Sequence, residues 1–200
     1  MIIDKNFILD YFQEYIFGFM YSDLENCIRA KANFAVAALL MSYTENIGGL
    51  ITGNLGLIGT SKADFSTVLE YFTFVDDTRH YKDFKITLKE ADQSKERNFT
   101  IYEAFRCGLI HEYFPKLPCI IHNNADDVAH YVESDAGIGW IIHKGQKTLR
   151  FHTNAYYRDF KNAVDKVFRQ VFIQNDPGIT TNIEKSLGRI FSRKLILPKD

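Results

Sequence analysis

Proline and cysteine are scarce in this chain of 200 residues, at four and three, and neither sign of charge predominates. Each scarcity excludes something. With 24 Lys+Arg against 25 Asp+Glu the formal net charge is −1, so the basic excess of a protein that coats nucleic acid non-specifically is missing. Any polyanion contact must be local. Cys27, Cys107 and Cys119 are odd in number and widely spaced, which excludes a disulfide framework and points to a reducing compartment. Few prolines and twelve glycines argue for long regular elements over a loop-rich scaffold. The start, Met-Ile-Ile-Asp-Lys followed by Asp10 and Glu14 among aromatics, lacks the layout of a signal peptide. The most apolar run, Phe34 to Met41, is too short to span a bilayer, and Glu45 and Asn46 interrupt it. A soluble, cytoplasmic protein is expected. A hydrophobic fraction of 46% with 14% aromatics is enough to fill a core.

Periodicity predicts a mainly α fold. Phe7, Ile8, Tyr11, Phe12, Tyr15, Ile16 and Phe19 recur at helical steps. Ser22 or Asp23 is positioned to cap a second helix running through Ala30–Ala38 and stopping near Gly48-Gly49. After the glycine-spaced stretch Gly53–Gly59, Ser61 with Asp64 has the form of a capping signal for a helix through Leu69 and Phe72. Lys89 to Asn98 is almost wholly polar and reads as an exposed connector, and a helix from Phe99 to Phe114 ends at Pro115. Ile138–Ile142 and Thr148–Phe151, joined around Lys144-Gly145-Gln146, predict a β-hairpin. Two helices close the chain, one from about Tyr156 to Phe172 and one carrying Ile183, Leu187, Ile190 and Phe191. The expected architecture is a helical bundle over residues 1–115. Residues 116–200 add a small C-terminal β-hairpin and closing helices, packed on the bundle in the same globular unit. Arg189, Arg193 and Lys194 are expected to mark the favourable end of the last helix.

Familiar catalytic motifs are missing. Thr60, not lysine, follows Gly59, so the glycine loop is no P-loop; HExxH and GxSxG do not occur. His80, His130, His143 and His152 stand alone among polar or hairpin residues. The informative segment surrounds Arg106. At about 100° per residue, Phe99, Tyr102, Phe105, Leu109, Ile110, Tyr113 and Phe114 form one apolar arc with Arg106 near its centre. A guanidinium cannot be neutralised, so that position calls for a carboxylate such as Glu103 or Glu45, or for an external anion. Cys107 and His111 lie beside the small pair Ala104 and Gly108, a face suited to a closely packed second helix, even from another subunit. Arg106 and His111 are about 140° apart on an ideal helix, so they are expected to converge across a symmetric pair rather than within one chain.

Arg106-Cys-Gly-Leu-Ile-His111 fits an Arg-x4-His signature late in a bundle, and in this the chain resembles the HEPN superfamily over residues 5–115. The resemblance implies a HEPN-like helical bundle and a homodimer. It also implies metal-independent cleavage of single-stranded RNA without a cofactor, of the kind found in toxin or phage-defence systems, and an antitoxin-like protein partner. His111 would then move the proton of the ribose 2′-hydroxyl, and Arg106 would hold the phosphate. Cys107 departs from the polar residue, often asparagine, common after the arginine. The family also holds non-catalytic members, so a dimerisation or nucleotide- or partner-binding module is the alternative.

Two further constellations compete for a role. Cys107-x3-His111 with Cys119-x2-His122 has ligand types that zinc accepts. Lys144, Lys147, Arg150, Arg158 and Lys161, followed by Lys166 and Arg169, outnumber the acids around them, with Tyr156 and Tyr157 interleaved. That run reads either as an RNA-tracking surface or as a solvated face that pairs with the acidic patch at Asp126, Asp127, Glu133 and Asp135.

Overall fold

The computed structural model describes residues 3–72, 81–89, 96–116, 119–122 and 136–192. The acidic patch at 126–135, His80, His130, Arg193 and Lys194 lie outside the described residues. The fold is mainly helical, with two small sheets.

Asp4 caps the first helix by accepting from the Phe7 amide. The helix runs as α1 (Lys5–Tyr11), continues as nine π-helical residues (Phe12–Met20), and becomes α2 (Tyr21–Arg29). The expected boundary at Ser22 or Asp23 is not there. The break falls at Ala30–Ala32, where Lys31 takes the left-handed conformation at φ 56°, a turn that neither glycine nor proline announces.

α3 (Asn33–Thr52) is the centre of the molecule, packed by α2, α4, α6 and α7. It does not stop at Gly48-Gly49. A Cβ on Gly48 would collide with the backbone carbonyl of Asp64, and one on Gly49 would crowd Leu55. The pair therefore serves close approach, and Gly53 at φ 78° ends the helix. α3 is long and apolar enough to cross a membrane by length and composition, unlike the shorter run read from the sequence. More than half of that window is buried by the rest of the fold.

α4 (Ser61–Val68) starts after Thr60 without a side-chain cap and ends in a 3-10 turn, Leu69–Tyr71. Asp64 is buried and does not cap it. Its Oδ1 accepts from Thr52 Oγ1 at 2.7 Å and Asn54 Nδ2 at 3.0 Å, which fixes the glycine loop against α3. The polar connector is flanked by strands: β1 (Ile86–Lys89) pairs antiparallel with β2 (Glu96–Phe99). Phe99 thus belongs to a strand.

The expected hairpin forms from β4 (Ile138–His143) and β5 (Gln146–His152), turning at Lys144-Gly145 with both φ positive. β3 (Cys119–His122) adds on the other side of β5 in parallel, giving the order β3-β5-β4. α6 (Thr153–Phe172) begins three residues before the expected start. His152 caps it through Nδ1, accepting from the Ala155 amide at 3.1 Å, while its ring meets that of His122 at 4.9 Å. His152 is therefore not isolated.

α7 (Pro177–Phe191) follows the cap Asp176. Its side chains close the carboxyl end of α3: Asn182 donates to the Ile51 carbonyl, Ser186 to Gly49, and Arg189 to Leu55 at 2.8 Å and Gly53 at 3.1 Å. Arg189 thus serves a neighbouring loop rather than its own helix end. One continuous core joins Ile8, Ile16 and Leu40 to Phe151, Val164, Val171 and Leu187, so residues 116–192 complete the bundle that residues 5–115 begin.

The core is rich in tyrosine, and this sets its response to alkali. Burial pushes the Tyr11 and Tyr43 phenols up to about 12, and raises Tyr21, Tyr156 and Tyr157 further. Above pH 10 the unfolded chain loses these protons and the native chain keeps them. The native state then binds more protons, and stability falls with rising pH by about 1.4 kcal/mol per pH unit per phenol. A pH titration is expected to show phenolate absorbance and loss of helical circular dichroism rising together in one steep step. A gradual phenolate rise in a still-helical protein would contradict the packing.

Candidate functional site

The arginine helix is set by a capping box, Thr100-Ile-Tyr-Glu103, which the periodicity of the apolar residues does not reveal. Thr100 Oγ1 accepts from the Glu103 amide at 3.3 Å, and Glu103 Oε2 accepts from the Thr100 amide at 3.0 Å. A π-helical turn, Tyr102–Arg106, precedes α5 (Cys107–His111). Helix geometry ends at His111, and Tyr113 takes φ 60°. The apolar arc is broken accordingly: Phe105 and Leu109 are buried, whereas Tyr113 and Phe114 are about 60% exposed.

Of the two carboxylates proposed for Arg106, Glu103 goes elsewhere, to Lys62 at 3.1 Å. Glu45 on α3 takes the arginine. Arg106 Nε lies 2.6 Å from Glu45 Oε2, and Nη2 donates to Oε1 at 3.2 Å. Both side chains are mostly but not wholly buried, at 16% and 19% exposed. The Tyr102 ring lies under the guanidinium, with its centroid 5.6 Å away.

The Nε edge of the guanidinium thus faces Glu45, with one hydrogen bond from Nη2 and a close ion-pair contact at Nε, and Nη1 is left for another partner. Nη1 lies 3.1 Å from Nε2 of His111, whose side chain is exposed. The expectation that Arg106 and His111 converge only across two copies is corrected here. The 140° separation holds at the Cβ atoms, but the three-methylene stem of Arg106 carries its head group along the helix to its last residue. A guanidinium only donates, so Nε2 of His111 accepts and its ring proton sits on Nδ1. The result is a fixed cation whose Nη1 occupies the Nε2 lone pair of an exposed imidazole.

The small face of Ala104 and Gly108 is not open to a second helix. The chain's own segment after α5 folds onto it: the Lys116 amide donates to the Ala104 carbonyl at 3.0 Å, and a Cβ on Gly108 would collide with Phe114 and Lys116 backbone. Glu45 also lines a polar pocket of about 130 Å³, together with Ser42, Asn46, Thr60, Ser61 and Asp64.

The other candidates disperse. Cys107, His111, Cys119 and His122 do not gather: among the described residues no three His, Cys, Asp or Glu side chains form a metal-holding group. Burial pushes the Cys119 thiol up to about 12, the opposite of a poised thiolate ligand. In the basic run, Arg150 is 4% exposed and donates to the Ala136 carbonyl at 2.9 Å, so it belongs to the fold. Arg158 pairs with Asp159, Arg169 pairs with Asp165, and Lys166 donates to the Tyr71 carbonyl. Lys161 lies over the Tyr157 ring, and Tyr156 and Tyr157 are core residues. Lys144 and Lys147 are exposed on the hairpin. Of the predicted catalytic, metal and RNA-binding residues that are described, Arg106 and His111 are the pair that the fold brings into side-chain contact.

Comparison with models of protein families, with characterised proteins and with solved structures finds no match to this chain.

Proposed function

We propose that the chain is a metal-independent endoribonuclease of the HEPN type, cutting single-stranded RNA as a homodimer. The observation that carries this reading is the 3.1 Å contact between Arg106 Nη1 and an accepting His111 Nε2 on an exposed edge. A phosphodiester entering there meets the free face of the guanidinium and places its 2′-hydroxyl against the imidazole. The phosphate draws Nη1 away and frees the Nε2 lone pair; the 2′-oxygen then attacks phosphorus, its proton passes to Nε2, and the bond from phosphorus to the 5′-oxygen breaks. The leaving oxygen takes a proton from water or from the second copy's imidazole. A cyclic phosphate and a 5′-hydroxyl result. Arg106 stabilises the charge that grows on the phosphate, and Glu45 orients Arg106. One chain supplies both groups, so the dimer is proposed for proton delivery and not for bringing them together. Restraint by an antitoxin-like protein partner is proposed with it.

One observation favours the second reading, a non-catalytic HEPN-like dimerisation or nucleotide- or partner-binding module. Arg106 already has a carboxylate partner, as a purely structural arginine would. The test is cleavage of single-stranded RNA by purified protein in EDTA. The nuclease reading expects fragments ending in cyclic phosphate; intact RNA at stoichiometric protein supports the module.

A further inference from the structure

Two large aromatic side chains follow His111 immediately and face solvent. Tyr113 and Phe114 are 61% and 60% exposed, and Phe34 of α3 packs against both. The Phe34 and Tyr113 rings stack at 5.9 Å with 24° between planes, and Phe34 meets Phe114 edge-on at 5.7 Å. Water normally drives such rings inward, and the left-handed backbone at Tyr113 is a conformation that side chains other than glycine rarely adopt. The segment is nonetheless held outward, by the Lys116–Ala104 hydrogen bond.

Position gives the cluster its meaning. Arg106 binds Glu45 while Tyr113 and Phe114 bind Phe34, so the arginine helix runs antiparallel to α3. Phe34 and Glu45 are eleven residues apart, about 16 Å along α3 and about 20° apart around it, so they share one face. Along that face the aromatic cluster precedes Glu45 with the Arg106–His111 edge, and the polar pocket opens around Glu45 itself. The cluster also sits at the amino-terminal end of α3, where Ala32 supplies no side-chain cap and exposed Lys31 precedes it. Lys31 and the amino terminus of α3 put positive potential on one side of the rings, and on the other side Arg106 shares its charge with Glu45.

We propose that Phe34, Tyr113 and Phe114 form a stacking platform for one unpaired nucleobase of the RNA strand whose phosphate is held at Arg106. The inference rests on the ribonuclease reading and deepens it by naming the substrate feature that is recognised. Exposed flat rings with Lys31 on one side and the Arg106–His111 edge on the other match an unpaired base of a phosphate-bearing strand. An apolar protein partner would not call for that flanking charge. A base inside a duplex has no free face, so the platform selects single strands.

The test uses the full chain and a fluorescent single-stranded RNA oligonucleotide with a 2′-O-methyl backbone, which binds without being cut. Tyr113→Leu and Phe114→Leu each keep apolar bulk and remove the π face, and both are expected to weaken binding by about tenfold to a hundredfold. Tyr113→Trp is expected to restore binding, with quenching of the added indole by the base. Melting temperatures report whether each variant folds; Phe114→Leu and Tyr113→Trp keep the test open if Tyr113→Leu does not. Full affinity in the leucine variants overturns the platform, as does failure of the unmodified protein to bind the oligonucleotide. Loss of a dimer in those variants without loss of oligonucleotide affinity overturns it in favour of a protein interface. The two readings separate cleanly. Cleavage of RNA with leucine variants as active as the parent leaves the nuclease and removes the platform. Stacking-dependent binding without cleavage leaves the platform and removes the nuclease.

Discussion

His111→Ala is expected to lower RNA cleavage by at least a hundredfold while leaving the melting temperature within a degree or two of the parent. Removing a positioned proton acceptor typically costs 10²–10⁴ in rate, and here the imidazole is the acceptor nearest the phosphate-binding edge. The side chain is exposed and its one described polar contact is with Arg106, which keeps Glu45. Surface substitutions of this kind change stability by about 0.5 kcal/mol or less. His111→Gln keeps an acceptor but cannot carry the proton away, and it is expected to be as inactive as the alanine variant. Single-turnover cleavage beside thermal unfolding separates the two effects. A variant that cleaves normally removes His111 from the reaction.

Glu45→Gln is expected to lose on both counts, and this separates it from His111→Ala. Breaking a buried ion pair by removing one partner costs about 3–5 kcal/mol, because the other charge is stranded. This pair keeps 16% and 19% exposure, so a smaller loss, about 2 kcal/mol, is expected from urea titration. Cleavage is expected to fall about tenfold or more, in the rate at saturating RNA rather than in the affinity. The freed guanidinium still attracts phosphate but no longer presents Nη1 beside His111. Faster cleavage in Glu45→Gln would mean that the carboxylate restrains Arg106 instead of aiming it. Unchanged stability and activity together would show that the pair carries neither.

Much of this was legible in the sequence, for identifiable physical reasons. Strong periodicity located the first helix, α6 and α7, and the Lys144-Gly145 turn between alternating segments located the hairpin. What failed were features decided by tertiary contact. Gly48-Gly49 reads as a helix stop, yet the backbone of α4 needs that space. The break at Lys31 has no local signal. β2, Glu96–Phe99, has three exposed residues before one buried residue and so shows no alternation to find. At the site, the need for a carboxylate beside Arg106 followed from its charge and neighbours, and Glu45 was one of two named. Choosing between Glu45 and Glu103 required knowing that Thr100 and Lys62 occupy Glu103. The approach of Arg106 to His111 was misjudged because an ideal-helix angle ignores the length of an arginine side chain. Tyr113 and Phe114 read as part of the apolar arc around Arg106 because the pattern gives no sign that the helix ends at His111 and the chain turns outward at Tyr113.

The central claim is that one guanidinium is held by Glu45 and also serves a phosphate beside His111. Arg106→Lys addresses it directly, since lysine keeps the charge but has no fork to span Glu45 and His111 together. Cleavage of single-stranded RNA in EDTA, with the fragment ends identified, is the measurement. The account predicts a folded variant in which production of cyclic-phosphate ends falls by at least a hundredfold. A folded Arg106→Lys protein that produces those ends at the parent rate would contradict it.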